Sequence, residues 1–263
     1  MVASISSYSA AQIRGLTVSS LSTADVAALS ATQIKELTTT QINQLSSAQI
    51  GAIEATDFVQ LSNKQISAFD PSNFSDGLLT YDKNKLNAIT GTQLASLTTA
   101  QLAAFTTDHV AALDSKDIGS LSATQLNALS TTVVASLSNS QLQGIKAVQL
   151  GGLSTTQLNA LTSNQLQSLS DTQLKGMTSS QVAGLSTTQI QTLTSSQVQG
   201  LTAPQLNGLT STQVQALESA EQAAAAVYQK AARALSRQRQ KAAPALAQAV
   251  TAAMQQLGMQ GGR

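Results

Sequence analysis

The chain has 263 residues, no cysteine, one histidine, 3% aromatic residues and a net charge of +1. That excludes a disulfide scaffold and a cysteine-based metal site, and no run of eighteen apolar residues is present to form a transmembrane helix. Charged residues make up only 10%, against about a quarter in ordinary domains, so Ser, Thr, Gln and Asn must supply the solvent face.

The first eight residues, Met1 to Tyr8, lack the basic and apolar regions of a cleaved signal peptide. The chain therefore reads as cytosolic or as exported by a signal-independent machine, and its residues do not choose between the two. Ser9 to Leu16 is the first full copy of an eight-residue phrase that organises most of the chain. Its consensus runs hydroxyl residue, two small or polar residues, Gln, aliphatic residue, polar residue, small residue, Leu. Residues Leu153 to Leu161 and Leu161 to Leu169 show it cleanly.

The spacing is a helix-start signal. A Ser or Thr at position one and a Gln at position four form a capping box, in which the hydroxyl takes a first-turn amide and the Gln returns to the cap's own amide. The Leu before the cap and the aliphatic residue at position five make a hydrophobic staple. A start every eight residues leaves about one and a half turns before the next.

The position-eight ladder runs Leu21, Leu29, Leu37, Leu45, Ile53, Leu61 and Phe69. Two places break its phase. Thr17 to Leu21 is three residues short of a copy, and an extra Leu78 to Tyr81 shifts the ladder by half a copy. Asp70-Pro71 still reads as a cap with Pro at the first helical position, and a kink or surface bulge is expected over 70–81. The ladder then resumes at Tyr81 and Ile89 and continues to Leu217, with Ala, Gly or Ser usual at position seven.

After Leu217 the phrase stops. Ser219 to Gln222 opens an Ala-rich helix whose acids, Glu218 and Glu221, precede its bases, as the helix dipole prefers. Pro244 is expected to break or kink it, with a second helix from about Ala245 to Leu257 and a frayed end marked by Gly258, Gly261 and Gly262.

One unbroken helix does not fit the repeat, because its apolar stripe would drift by about 80° per octad. A β-solenoid predicts alternation, whereas the apolar residues fall at spacings of three and five. A single octad buries too little to fold alone, so neighbours must stack. The fold expected is all-α: a solenoid of short capped helices over 1–217, followed by longer helices over 218–263.

No catalytic, cofactor or metal constellation emerges. His109 stands at position four and reads as a substituted cap residue; Asp25, Asp57 and Asp117 stand there too, isolated from further ligands. No Ser or Thr has a base placed beside it, and Gly151-Gly152 lacks the Lys of a phosphate loop. An enzyme site at the 70–81 insertion, using Asp76, Tyr81 and Asp82, is the outside alternative. The basic stretch Lys230, Arg233, Arg237, Arg239 and Lys241 is the partner-binding candidate, or else a solvated face. Nucleic acid is disfavoured along the repeat, since 176–217 carries no charge. Capping explains position one; the columns at positions two and three, such as Thr155-Thr156 and Ser195-Ser196, are where a protein or glycan partner would be sought.

The phrase Leu-Thr/Ser-x-x-Gln-Leu/Val/Ile-x-Ala/Gly resembles octapeptide tracts of large, cysteine-free proteobacterial proteins described as surface, adhesin-like or secreted. The resemblance runs from Ser9 to Leu217. It implies a non-enzymatic spacer or protein-binding scaffold, or a secreted effector or adhesin segment that binds a host protein or glycan. It carries over no functional residue.

Overall fold

The computed structural model describes residues 4–80 and 84–256. All regular structure among them is helical, with no strand. The chain divides into two units, Met1–Thr210 and Ser211–Arg263.

In the first unit each octad folds as its spacing dictates. Thr162 sits at φ −70°, ψ 162°, and its hydroxyl accepts the Gln165 amide at 3.3 Å, while Gln165 Oε1 accepts the Thr162 amide at 2.7 Å. Helix Ser163–Ser168 follows, and its C-cap Leu169 is extended (φ −68°, ψ 135°). The next cap, Ser170, is also extended (φ −72°, ψ 158°). Two consecutive extended residues turn the chain out of one helix and into the next. The staple pair and the ladder form the core: Leu158, Leu161, Leu166, Leu169 and Leu174 are all buried.

The short helices wind into a solenoid in which each packs, as a rule, on the third helix after it. Small residues permit this approach. A Cβ on Gly144 would overlap the carbonyl oxygen of Ser115, and one on Gly176 would overlap that of Ala147.

Both phase breaks are absorbed without loss of register. The shortened copy becomes the 3-10 turn Val18–Ser20, which drops the first turn of the octad but keeps Val18 fully buried. At the second break the expected kink or bulge over 70–81 lies partly outside the described residues, and its described part is helical. Residues Pro71–Thr80 are one continuous helix of ten residues. Asp70 Oδ1 accepts the amides of Ser72 at 3.1 Å and Asn73 at 3.3 Å, and Phe74 is buried. Residues 78–80 of the added half-octad lengthen the helix instead of looping out. Beside it, Phe58, Phe69 and Phe74 stack with ring centroids 5.2–6.3 Å apart, filling space that single aliphatic chains occupy elsewhere.

The second unit contains the helix Ser211–Gln256, 46 residues with Pro244 inside it. Two expectations are corrected here. The helix begins one octad earlier than 218, because nothing after Leu217 requires a new cap and the last copy runs on. No second helix starts at Ala245, because proline removes one ladder hydrogen bond and the turns on either side carry the helix past it. The expected frayed end at Gly258, Gly261 and Gly262 lies outside the described residues, as do Tyr81 and Asp82.

Candidate functional site

The position-four glutamines dominate the polar chemistry of the first unit, and they do more than cap. Gln165 Nε2 donates backward to the carbonyls of Leu137 at 2.6 Å and Ala135 at 3.1 Å. Gln173 donates to Leu142 and Ile145, Gln197 to Leu166 and Leu169, and Gln205 to Leu174 and Met177, all within 2.9 Å. These carbonyls belong to position eight and to position five or six of the fourth octad back, 28 and 31 or 30 residues earlier. Each Gln therefore closes its own helix start with Oε1 and fastens it to the preceding turn of the solenoid with Nε2. All of these side chains are at most 8% exposed.

The fastening keeps its register across the phase breaks. After the three-residue deletion Gln41 reaches Ile13 and Leu16, 28 and 25 residues back. Across the four-residue insertion Gln101 reaches Ile66 and Phe69, 35 and 32 residues back. Gln93, across the same insertion, reaches Val59 and Leu61, so the position-eight carbonyl is found each time.

The substitutions at position four divide by what they can donate. His109 is buried; its Nδ1 accepts the Thr106 amide at 3.0 Å, so the proton lies on Nε2, which donates to the Ser75 carbonyl at 2.8 Å. Its ring stacks on Phe105, 4.8 Å between centroids. Burial holds its pKa below the ordinary 6.5, only partly opposed by the Ser75 carbonyl and by Asp108 and Asp76. His109 thus performs both Gln functions with two ring nitrogens, the substituted cap that its position predicts. Lys85 is buried as well and donates to the Gly51 carbonyl at 2.5 Å.

The aspartates have no donor to hand backward, and of the three Asp25 and Asp117 cap. Asp25, in the first turn, has no earlier turn to reach; bonds from the Ser22 hydroxyl and amide hold its pKa down. Asp117 accepts the Asp114 amide at 3.0 Å, and burial raises its pKa. Burial, then Glu54, raises that of Asp57. The octads that start at Glu54, Ser130 and Ser154 lack the reciprocal box. Ser154 gives its amide to Asn127 Oδ1 of the preceding turn at 2.8 Å, which leaves Gln157 Oε1 buried without a protein partner.

Outside this column the surface of the first unit is polar and sparsely charged, with no charged residue over 176–210. Thr155, Thr156, Ser195 and Ser196 are exposed, and some position-three hydroxyls lie against the cap, as Thr92 does against Thr90 at 3.0 Å. A shallow groove of about 460 Å³ is lined by Lys35, Leu37, Thr39, Gln60, Ser62, Lys64 and Gln65. Among the described residues no three His, Cys, Asp or Glu side chains gather to hold a metal. No described helix is long and apolar enough to cross a membrane.

In the second unit Lys230, Arg233, Arg237, Arg239 and Lys241 are all exposed. The helix brings four of them together: Lys230, Arg233, Arg237 and Lys241 are spaced at steps of three, four and four, which is one face. Arg239 projects from the opposite side. Read as a charge run, the five form one group; only helical phase separates them. The backward donation by Gln is likewise invisible in the spacing, and its only sequence signal is the near absence of Glu at position four.

Neutral, cap-directed side chains on stacked short helices define a helical repeat protein. A family model for the ALTTAQ repeat matches residues 18–55. The six letters of that name correspond to positions seven, eight and one to four of the octad, as in Ala28 to Gln33. No curated protein matches the chain.

Proposed function

We propose that the chain is a non-enzymatic structural and interaction protein, a spacer or protein-binding scaffold of bacterial surface or secreted type. One observation supports this reading above the others. The buried polar groups of the octad are spent on capping and on fastening turns, and what faces solvent is a repeated array of small neutral hydroxyl residues. Such an array presents donors and acceptors at fixed spacing without a convergent acid and base. The surface or secreted context rests on the resemblance of the octads alone.

The test replaces Thr155, Thr156, Thr187, Thr188, Ser195 and Ser196 by alanine in the full chain. A scaffold that binds through positions two and three loses its captured protein in a pull-down while its circular dichroism is unchanged. A spacer is insensitive to these changes but sensitive to its number of octads. The exposed hydroxyl pairs also favour a second reading, a glycan-binding effector or adhesin segment, for which the same variant loses signal on a glycan array. Turnover of any substrate that Asp76→Ala abolishes would overturn all three.

A further inference from the structure

We propose that the helix of the second unit, over 222–256, lies flat on an anionic lipid surface. It is amphipathic in both senses that such binding needs. At about 100° per residue, Ala224, Tyr228, Ala231, Leu235, Ala242, Ala249 and Ala253 fall on one arc, with Val250 at its edge. On this arc Tyr228 is 76%, Leu235 49% and Val250 50% exposed, so large apolar side chains stand in water. Lys230, Arg233, Arg237 and Lys241 occupy the opposite arc. Both acids of the helix, Glu218 and Glu221, precede 222, so this segment carries five positive charges and no negative one.

The apolar arc has an occupant only if something apolar comes to it, and the charge decides which. A second copy would bring the same five cations alongside. A nucleic acid would take the basic arc and leave Tyr228, Leu235 and Val250 in water. An anionic bilayer accepts both faces: the apolar arc settles at the headgroup boundary, and the bases meet lipid phosphates and carboxylates. Arg239 lies on the apolar arc, where its long stem packs along the surface and its guanidinium reaches up to the headgroups. The helix is not apolar enough to cross, so it lies on the membrane.

The experiment is flotation of the full chain with phosphatidylcholine vesicles, with and without about 30% phosphatidylserine, at low and high salt. Binding is expected only with phosphatidylserine and should weaken as salt rises. Replacing Lys230, Arg233, Arg237 and Lys241 together by Gln should reduce partitioning by roughly 100-fold or more. Tyr228→Gln with Leu235→Gln, which keeps every charge, should weaken it as well. All six side chains are exposed, so circular dichroism should not change. Binding that ignores the Tyr228/Leu235 variant would overturn the face-down arrangement. Failure to bind anionic vesicles, with or without a gel shift of duplex DNA at the same salt, would overturn the proposal.

Discussion

Each interior glutamine of position four satisfies groups in two octads at once, which sets the cost of changing it. Gln165→Glu keeps the acceptor that caps Thr162 but turns the donor facing Leu137 and Ala135 into a second carboxylate oxygen. Buried carbonyls lose their partners and meet a negative charge, so the variant should lose about 2–4 kcal/mol in guanidinium unfolding at neutral pH. Protonation returns one donor, and the deficit should shrink toward about pH 4; a deficit independent of pH would refute the two-way assignment. His109 behaves in the opposite sense. Its folded pKa lies below 6.5, so the unfolded chain binds the proton more readily. Its contribution is complete above pH 6.5 and is lost as the pH falls from there through the lower folded value. Melting temperature measured between about pH 7.5 and 5.5 should therefore drop in the wild type, and His109→Gln should flatten that slope.

At the scale of the helix, the octad's start and stop signals were legible because they are local: cap, Gln three residues on, staple and ladder lie within nine residues of chain. The ten-residue helix Pro71–Thr80 was not, since the pattern marks only that four residues are extra. Whether they loop out or lengthen a helix depends on neighbours such as Phe58 and Phe69, which enter from other turns. Helix contacts make two predictions. Gly144→Ala drives a methyl into the Ser115 carbonyl and should cost about 1–3 kcal/mol by thermal or chemical unfolding, whereas Gly15→Ala, with no contact nearer than 3.5 Å, should be close to neutral. Val133 occupies position four, is buried and has no donor to hand backward. Val133→Gln should therefore raise stability by about 0.5–1.5 kcal/mol, and a loss would show that its surroundings have closed over the shorter side chain.

For the first unit as a whole, stability should be a sum over octads that are nearly equivalent, because each interior Gln reaches the position-eight carbonyl of the fourth octad back. The repeat period and the solenoid were legible from the ladder. The length of a solenoid turn was not, because it is written only in which distant carbonyl each Gln reaches. Equivalence makes a deletion informative. Removing 162–169 joins Leu161 to Ser170, restores the phrase, and lets every later Gln find position eight of the fourth octad back. The protein should still unfold in one cooperative transition, with a denaturant slope reduced in proportion to the surface lost. Removing only 162–165 joins Leu161 to Leu166, deletes a cap and its fastening glutamine, and offers no equivalent of the ten-residue helix or the three stacked phenylalanines that absorb the natural half-octad. It should cost at least about 3 kcal/mol more than the full-octad deletion, although it removes half as many residues. Equal losses in guanidinium unfolding would mean that the turns are held by apolar packing alone and that the glutamine bonds do not set the register.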